Sequence, residues 1–259
     1  MKYQYIIDWI KNYANDSNIK SLVIGVSGGI DSAVTSTLCA LTGLDTVVVN
    51  MPIQQSTKEV DRGLDHINWL NNKFDNVIPT KVDLNNTFDS FLDDFSNSNL
   101  PANKLAEANT RSRLRMVTLY HMAAKYSGIV VGTGNKVEDF GIGFYTKYGD
   151  GGVDISPIAD LMKSEVYDAG LELGIIDSIM LAAPTDGLWG DTRTDEDQIG
   201  ASYNELEWAM TFNGDKSSLS PKQKEVLEIY NKFNTANKHK MLPIPVCIKP
   251  KKNGKTRVI

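Results

Sequence analysis

The sequence contains few cysteines. Cys39 and Cys247 are the two cysteines among 259 residues, and neither belongs to a C-x-x-C pair. Iron–sulfur clusters, structural zinc sites and sulfur relays need grouped cysteines, so this scarcity argues against all three. We interpret both residues as free thiols that behave as small hydrophobic side chains.

Long apolar runs are also absent. No stretch approaches the roughly 18 residues that indicate a membrane-spanning helix. The N-terminus predicts an amphipathic helix and lacks the apolar segment and cleavage site of a signal peptide. Its apolar side is formed by Tyr5, Ile6, Trp9, Ile10 and Tyr13. These features predict a cytoplasmic protein with no membrane partner.

Positive charge is not in excess. The chain has 27 Lys and Arg against 32 Asp and Glu, which gives a net charge of −5. Such a surface does not attract a nucleic-acid backbone as a whole, so we expect no nucleic-acid partner and only locally held anions. The basic residues 249–257 are typical of a solvated terminus, and an anionic ligand is the alternative.

The remaining composition, with 41% hydrophobic and 23% charged residues, is that of an ordinary globular protein. It excludes disordered and collagen-like chains. A length of 259 residues lies near the upper limit for one hydrophobic core. We predict one domain over residues 1–259, an α/β core with additions or with a small helical appendage.

Apolar runs alternate with segments of helical spacing. Strands are predicted at residues 21–26, 46–51, 76–82 and 128–132, and Pro79 puts the third at an edge or a bulge. Helices are predicted at residues 31–42, 56–72, 86–95, about 102–126, 163–173, 197–210 and 221–238, with a loop-rich region after residue 133. This order predicts an α/β fold, a doubly wound parallel sheet with helices on both faces and further helices at the C-terminus. Ligands bind such sheets beyond the carboxyl ends of the strands.

The strongest local signal is a serine and glycine loop between the first predicted strand and helix. It consists of Gly25, Val26, Ser27, Gly28, Gly29, Ile30, Asp31 and Ser32. Glycines let the backbone approach an anion, and amides and hydroxyls at a helix N-terminus supply donors where the helix dipole is positive. The loop therefore predicts a phosphate site, and Asp31 beside phosphates implies an intervening Mg²⁺. The lysine of the P-loop pattern is absent. A simple strand-to-helix connection is the alternative.

The hexapeptide SGGIDS resembles the PP-loop of the N-type ATP pyrophosphatases. These enzymes split ATP into AMP and pyrophosphate while activating a carboxylate or carbonyl oxygen, and NAD synthetase and GMP synthetase are among them. The resemblance implies a fold of the adenine nucleotide alpha hydrolase type. It assigns residues 25–32 to ATP, with Asp31 as a catalytic residue and a Mg²⁺ ligand.

Two later segments resemble the NAD synthetase branch of this family. Residues 109–116 (NTRSRLRM) match an asparagine followed by spaced arginines and a methionine, which implies that Arg113 contacts the dinucleotide substrate. A solvated basic helix face is the alternative. Residues 133–138 (TGNKVE) resemble the G-T-G-N-K variant, with Thr133 at an ATP position and Glu138 at the metal position. A capped turn is the alternative there.

The most specific resemblance lies in residues 143–154 (GFYTKYGDGGVD), which closely match the signature G-F-[FY]-T-K-Y-G-D-G-G-x-D. It implies that Lys147 and Asp154 contact deamido-NAD. Further single positions match the family over residues 25–245. They are Lys163 and Thr185 at ATP, with Lys163 also in catalysis, and His239 and Lys240 near the substrate. Without the resemblance these would be a surface lysine, a helix cap and loop residues.

The resemblance implies that deamido-NAD is adenylated by ATP and that ammonia then displaces AMP to form NAD. Glutamine-dependent members carry an additional amidotransferase domain for which this chain has no room, so free ammonia is the expected donor. Another ATP pyrophosphatase, or a nucleotide-binding module without turnover, is the alternative. Members of this type are homodimers with substrate sites at the subunit interface. Trp69, Tyr120 and Trp208 could serve such an interface or pack in the core.

Overall fold

The computed structural model describes residues 1–95, 101–185 and 193–249. The strands are β1 (Ser21–Gly25), β2 (Asp45–Asn50), β3 (Val77–Lys81) and β4 (Gly128–Val130). The helices are α1 (Gln4–Asp16), α2 (Ile30–Leu41), α3 (Thr57–Lys73), α4 (Asn85–Asp93), α5 (Lys104–Lys125), α6 (Lys163–Leu173), α7 (Asp177–Met180), α8 (Asp195–Ile199), α9 (Tyr203–Thr211) and α10 (Pro221–Met241). A π-helix spans Lys136–Ile142, and a short 3-10 helix spans Lys216–Ser218.

The strands form one parallel sheet in the order β3-β2-β1-β4. Ser21 at the start of β1 pairs with Asp45 of β2 and with Gly128 of β4. Pro79 lies in β3 at the edge of the sheet, as its missing N–H predicts. Because all strands run in one direction, the loops that follow β1 and β4 leave the sheet at the same edge.

Both faces of the sheet are covered, as the continuous apolar strands predict. Leu22 and Ile24 of β1 pack into one hydrophobic cluster with residues of α1, α2 and α6. Val23, between them, points to the other face and packs with Phe88 of α4 and Met122 of α5. This alternation confirms the doubly wound α/β fold.

The C-terminal helices add a smaller apolar layer beside the sheet. Val137 and Ile142 of the π-helix pack with Leu206 of α9 and with Phe233 of α10. The sequence pattern predicts only loop for the π-helical segment and a single helix over residues 197–210. The second prediction is wrong because Gly200 takes φ +85° and ends α8, after which Ser202 caps α9.

The apolar side predicted for α1 is divided in the structure. Ile6 and Ile10 are buried against the core, whereas Tyr5, Trp9 and Tyr13 are 59%, 46% and 39% exposed. The aromatic residues recur every four positions and so form a neighbouring stripe of the helix. The amphipathic helix predicted for the N-terminus is present, and only part of its apolar side is buried.

Within the described ranges, no helix is both long and apolar enough to cross a membrane. Cys39 is buried and Cys247 is exposed, and both are free thiols, as predicted. Trp69 and Trp208 are half-buried against apolar clusters, which agrees with core packing. Tyr120, the third aromatic considered for an interface, is 36% exposed.

His66 of α3 is completely buried against α2. Its Nε2 lies 3.0 Å from Ser36 Oγ, and the Ser36 hydroxyl donates to the Ala33 carbonyl. Burial lowers the pKa of His66 to about 4. The folded protein thus keeps this imidazole neutral at mildly acidic pH.

We expect His66 to make the protein less stable as the pH falls from about 6.5, the pKa of His in an unfolded chain, to about 4. In this window the unfolded chain binds a proton that the folded protein does not, so the free energy of unfolding decreases by up to about 3 kcal/mol. Urea unfolding at several pH values should give a flatter pH profile for His66→Gln than for the unmodified protein. Parallel profiles would show that another group causes the acid sensitivity.

Candidate active site

The serine and glycine loop lies between β1 and the N-terminus of α2, as predicted. The Gly29 amide donates to Ser27 Oγ at 3.2 Å, and the Ser32 hydroxyl donates to the Gly29 carbonyl at 2.9 Å. Gly28 takes φ +89°, and a Cβ there would lie 2.8 Å from the Glu59 carbonyl oxygen of α3. Glycine is required at this position by both conformation and space. The loop is therefore held in shape by its own hydrogen bonds and by α3.

A buried lysine connects two carboxylates beside this loop. Lys163, the first residue of α6, is 3% exposed, and its Nζ lies 2.6 Å from Asp31 Oδ2 and 2.9 Å from Glu138 Oε1. Burial alone would lower the pKa of Lys163, but the two carboxylates outweigh it and raise it. Lys163 therefore stays protonated and supplies a fixed positive charge.

The two carboxylates have different surroundings. Burial raises the pKa of Asp31 despite the opposing effect of Lys163. Burial also acts to raise the pKa of Glu138, but Lys163 and the Tyr203 hydroxyl outweigh it, and the pKa is lowered. Glu138 therefore carries the more firmly held negative charge of the pair.

Asn135 links the two acidic residues. It is completely buried, its Nδ2 donates to Asp31 Oδ1 at 2.9 Å, and its Oδ1 accepts from the amides of Val137 and Glu138 at 3.1 Å each. It thus caps the π-helix that carries Glu138 and orients Asp31 at the same time. The sequence does not reveal this role of Asn135. An asparagine in the loop after the fourth strand is nevertheless typical of a helix cap.

Tyr203 is a second residue whose role the sequence did not reveal. It begins α9, is 6% exposed, and its hydroxyl lies 2.5 Å from Glu138 Oε1 and 3.2 Å from Asp195 Oδ2. Burial and the charge of Glu138 raise the pKa of Tyr203, so the hydroxyl keeps its proton and donates it. No local pattern in the sequence indicates this contact.

A cavity of about 260 Å³ opens beside the loop. Every residue assigned to ATP except Gly28 lines it: Gly25, Val26, Ser27, Gly29, Ile30, Asp31, Ser32, Thr133, Lys163 and Thr185. Met51, Leu119, Val131 and Phe144 add apolar surface. Amide donors, a buried cation and apolar walls in one cavity fit a nucleotide.

Thr185 reaches the first turn of α3, where its hydroxyl donates to Glu59 Oε1 at 3.0 Å. Asp186, which follows it, lies outside the described residues. The description of the chain resumes at residue 193, and Asp195–Ile199 form α8.

The residues assigned to the dinucleotide substrate lie outside the lining of this cavity. Arg113 Nη2 donates to the Lys147 carbonyl at 3.3 Å, and Lys147 Nζ donates to the His239 carbonyl at 2.9 Å. Lys240 Nζ donates to the carbonyls of Gly143 and Tyr145, each at 2.8 Å. The structure thus brings four of the assigned residues together around residues 143–147 and the end of α10. They are Arg113, Lys147, His239 and Lys240.

Asp154, the fifth residue of that set, lies at the junction of α5 and β4. Its carboxylate accepts from the Tyr120 hydroxyl at 3.1 Å and from the Val130 amide at 2.8 Å. The signature segment before it is fastened to α5 by Ser112, whose hydroxyl donates to Asp150 Oδ1 at 2.7 Å. Ser112 was also missed, although it stands inside the matched segment 109–116.

Asp31 and Glu138 can hold a divalent cation. When both are ionised, the two carboxylates and Lys163 leave one excess negative charge in a largely buried place. Over the ranges that the structure describes, no group of three acidic, histidine or cysteine side chains forms a metal site made of protein alone. Mg²⁺ commonly takes one or two carboxylates together with water and phosphate oxygens. The pair therefore fits Mg²⁺ bound beside a phosphate.

Comparison with known proteins agrees with this geometry. Residues 2–242 match the family model described as NAD synthase. An NH₃-dependent NAD⁺ synthetase from Mesoplasma florum is 40% identical over 204 residues, which are 78% of this chain and 81% of that protein.

Solved structures are similar over almost the whole chain. The NMN synthetase from Francisella tularensis has a TM-score of 0.83 and 30% identity and covers 96% of both chains. The NH₃-dependent NAD synthetase from Campylobacter jejuni has a TM-score of 0.75 and 25% identity, with 95% of this chain and 97% of that chain covered. Because the family model matches nearly the full length and the relatives share this fold, the chain belongs to the NAD synthase family.

Proposed function

We infer that this protein is an ammonia-dependent NAD synthetase, a ligase that forms a carbon–nitrogen bond. It uses ATP and ammonia to convert deamido-NAD into NAD and releases AMP and pyrophosphate. The family membership and the relatives' activity support this function. The structural observation that carries it is the Lys163 ammonium, bonded to Asp31 and Glu138 at the wall of the nucleotide cavity.

The reaction has two displacements. A carboxylate oxygen of deamido-NAD attacks the α-phosphorus of ATP, and the bond to pyrophosphate breaks. Ammonia then attacks the acyl carbon, the bond to AMP breaks, and the nitrogen loses a proton. Adenylation supplies the leaving group, so no covalent nucleophile of the protein is needed. Catalysis then depends on positioning and on charge stabilisation.

In this proposal the residues assigned to ATP bind its phosphates and ribose. The amides of residues 30–32, at the N-terminus of α2, bind phosphate oxygens, and Lys163 neutralises charge on the departing pyrophosphate. Asp31 and Glu138 would hold Mg²⁺, which when bound would neutralise further phosphate charge. The support for this role is the pair of carboxylates at the cavity wall.

We further propose a homodimer whose substrate site includes residues from both copies. Arg113, Lys147, Asp154, His239 and Lys240 would contact deamido-NAD, and none of them lines the cavity of their own chain. Sedimentation equilibrium would measure the number of subunits, and a monomer at assay concentration would contradict the shared site.

We also propose that residues 1–259 act as one domain, because α9 and α10 pack on the π-helix that carries Glu138.

The similarity to an NMN synthetase raises a second candidate substrate. That structure is 30% identical to this chain over 96% of its length. A mononucleotide acid in place of the dinucleotide would require the same adenylation and the same ammonia step. The two candidates differ only in the substrate, so one assay separates them.

We expect the purified protein to form NAD and AMP in equal amounts from ATP, Mg²⁺, deamido-NAD and ammonium. Replacing ammonium by glutamine should stop NAD formation, because relatives of this chain are NH₃-dependent enzymes. Parallel reactions with nicotinate mononucleotide would identify the second candidate through NMN formation. Liquid chromatography of the nucleotides measures all products.

Other outcomes of this assay would contradict the proposal in defined ways. Pyrophosphate release without NAD or NMN would indicate an ATP pyrophosphatase that acts on another acceptor. ATP binding without any turnover would favour a nucleotide-binding module. A reaction mixture without ATP is the control for NAD carried through purification.

A further inference from the structure

We propose that Tyr203 is a positioning residue that holds the Glu138 carboxylate and the Lys163 ammonium in the arrangement needed at the phosphates. The inference rests on the proposed function, in which Glu138 binds Mg²⁺ and Lys163 binds phosphate. Neither the sequence motifs nor the family resemblance assigns a role to this tyrosine. Tyr203 would act on the reaction only through these two side chains.

The hydroxyl of Tyr203 fixes one carboxylate oxygen of Glu138. The oxygen Oε1 accepts from Tyr203 at 2.5 Å and from Lys163 Nζ at 2.9 Å. Two donors on one oxygen set the plane of the carboxylate, which a single contact would leave free to rotate. The hydroxyl has one proton, and the longer distance of 3.2 Å to Asp195 Oδ2 favours Glu138 as its acceptor.

The ring of Tyr203 contacts the other member of the ion pair. Lys163 Nζ lies 4.7 Å from the ring centroid, within the distance of a cation–π interaction. One side chain thus touches both the cation and the anion, with its ring on Lys163 and its hydroxyl on Glu138. Replacing Tyr203 by phenylalanine would remove the hydroxyl contact with Glu138 and keep the ring contact with Lys163, so it separates the two roles.

Tyr203 is itself held from three directions. Its amide donates to Glu196 Oε1 at 2.8 Å, its ring packs with Val137 and Leu206, and Ser202 caps the helix that it begins. These contacts come from α8, α9 and the π-helix and need no ligand. A side chain fixed in this way can preorganise a catalytic carboxylate.

The test compares Tyr203→Phe with Tyr230→Phe. The first variant keeps the buried ring and removes the hydroxyl on Glu138. The second removes a hydroxyl from a half-buried ring of the adjoining apolar layer, for which the described residues show no hydrogen bond. Electron paramagnetic resonance measures Mn²⁺ binding to the protein without substrates, and steady-state assays measure kcat and KM.

We expect Tyr203→Phe to weaken Mn²⁺ binding about tenfold and to lower kcat by a similar factor, as loss of a hydrogen bond to a charged group predicts. The KM for deamido-NAD should not change, because the hydrogen bonds of Tyr203 go to Glu138, Asp195 and Glu196, which are not among the residues assigned to that substrate. Tyr230→Phe should leave both quantities at their original values. A merely structural role would instead lower the melting temperature of Tyr203→Phe and leave the Mn²⁺ affinity unchanged, which would overturn the proposal.

A double variant tests whether Tyr203 acts through Glu138. If it does, Glu138→Gln combined with Tyr203→Phe should bind Mn²⁺ no more weakly than Glu138→Gln alone. Additive losses would overturn the proposal, as would a wild-type protein that binds no Mn²⁺. Because Mn²⁺ binding is measured without turnover, failure to form NAD would contradict the proposed function and leave this test intact.

Discussion

Lys163→Met is expected to lower kcat/KM for NAD formation about a thousandfold, the upper range for loss of one preorganised electrostatic group. In the proposed mechanism, the variant loses the charge that faces the departing pyrophosphate. It also leaves Asp31 and Glu138 without the ammonium that lies 2.6 and 2.9 Å from them. Removing one partner of a buried ion pair costs about 3–5 kcal/mol, so the free energy of unfolding should fall as well. Steady-state kinetics and urea unfolding measure the two effects.

Lys222→Met is the matched control for this variant. Lys222 pairs with Glu205 at 3.7 Å and with Glu225 at 3.5 Å on an exposed surface. Such pairs contribute at most about 1 kcal/mol, so activity should be unchanged and stability nearly so. Mg²⁺ should raise the melting temperature of Lys163→Met more than that of the unmodified protein, because a cation replaces the lost charge. Near-normal kcat/KM in Lys163→Met would contradict the role given to this lysine.

Gly28→Ala is expected to lower kcat/KM for ATP about a hundredfold, since misplacing binding groups by an ångström can have that effect. The new Cβ would lie 2.8 Å from the Glu59 carbonyl oxygen and 2.9 Å from the Gly63 amide nitrogen. Both are backbone atoms, so either the serine and glycine loop or α3 must move. The φ of +89° adds about 1–2 kcal/mol of strain for a residue with a side chain. ATP titration and thermal unfolding measure these effects.

Gly43→Ala separates the strain from the clash. Gly43 has φ +78°, and a Cβ there would meet no atom within 4 Å. This control should lose stability through the backbone conformation alone and keep its affinity for ATP. Equal activity of Gly28→Ala and Gly43→Ala would show that the contact between Gly28 and α3 does not determine the shape of the serine and glycine loop.

The sheet and the place of the serine and glycine loop could be predicted because their signals are local. Residues 21–32 alone contain a buried strand, a glycine turn and a helix start, and Pro79 by itself indicates an edge strand. The division of residues 197–210 into two helices was missed, because a glycine inside an apolar pattern does not reveal whether it takes a positive φ.

The arrangement of the candidate site depends on contacts between distant parts of the chain. Lys163 and Asp31 are 132 positions apart, and Tyr203 and Glu138 are 65 positions apart. No periodicity indicates which lysine or tyrosine will meet a given carboxylate. The family resemblance supplied a role for Lys163, whereas the contact of Tyr203 with Glu138 follows from the packing of α9 on the π-helix.

We expect Pro79 also to hinder association between molecules at the edge of the sheet. The Val82 amide donates to the Asn50 carbonyl, and the Asn76 carbonyl accepts from the Thr46 amide. The backbone N–H and C=O groups of the even-numbered residues between 76 and 82 therefore point toward β2. The ring nitrogen of Pro79 therefore points away from β2, to the side of β3 where the described residues add no further strand, and it offers no N–H there. A strand from another molecule could not form an unbroken ladder there, which guards this edge against fibril-like stacking at high concentration.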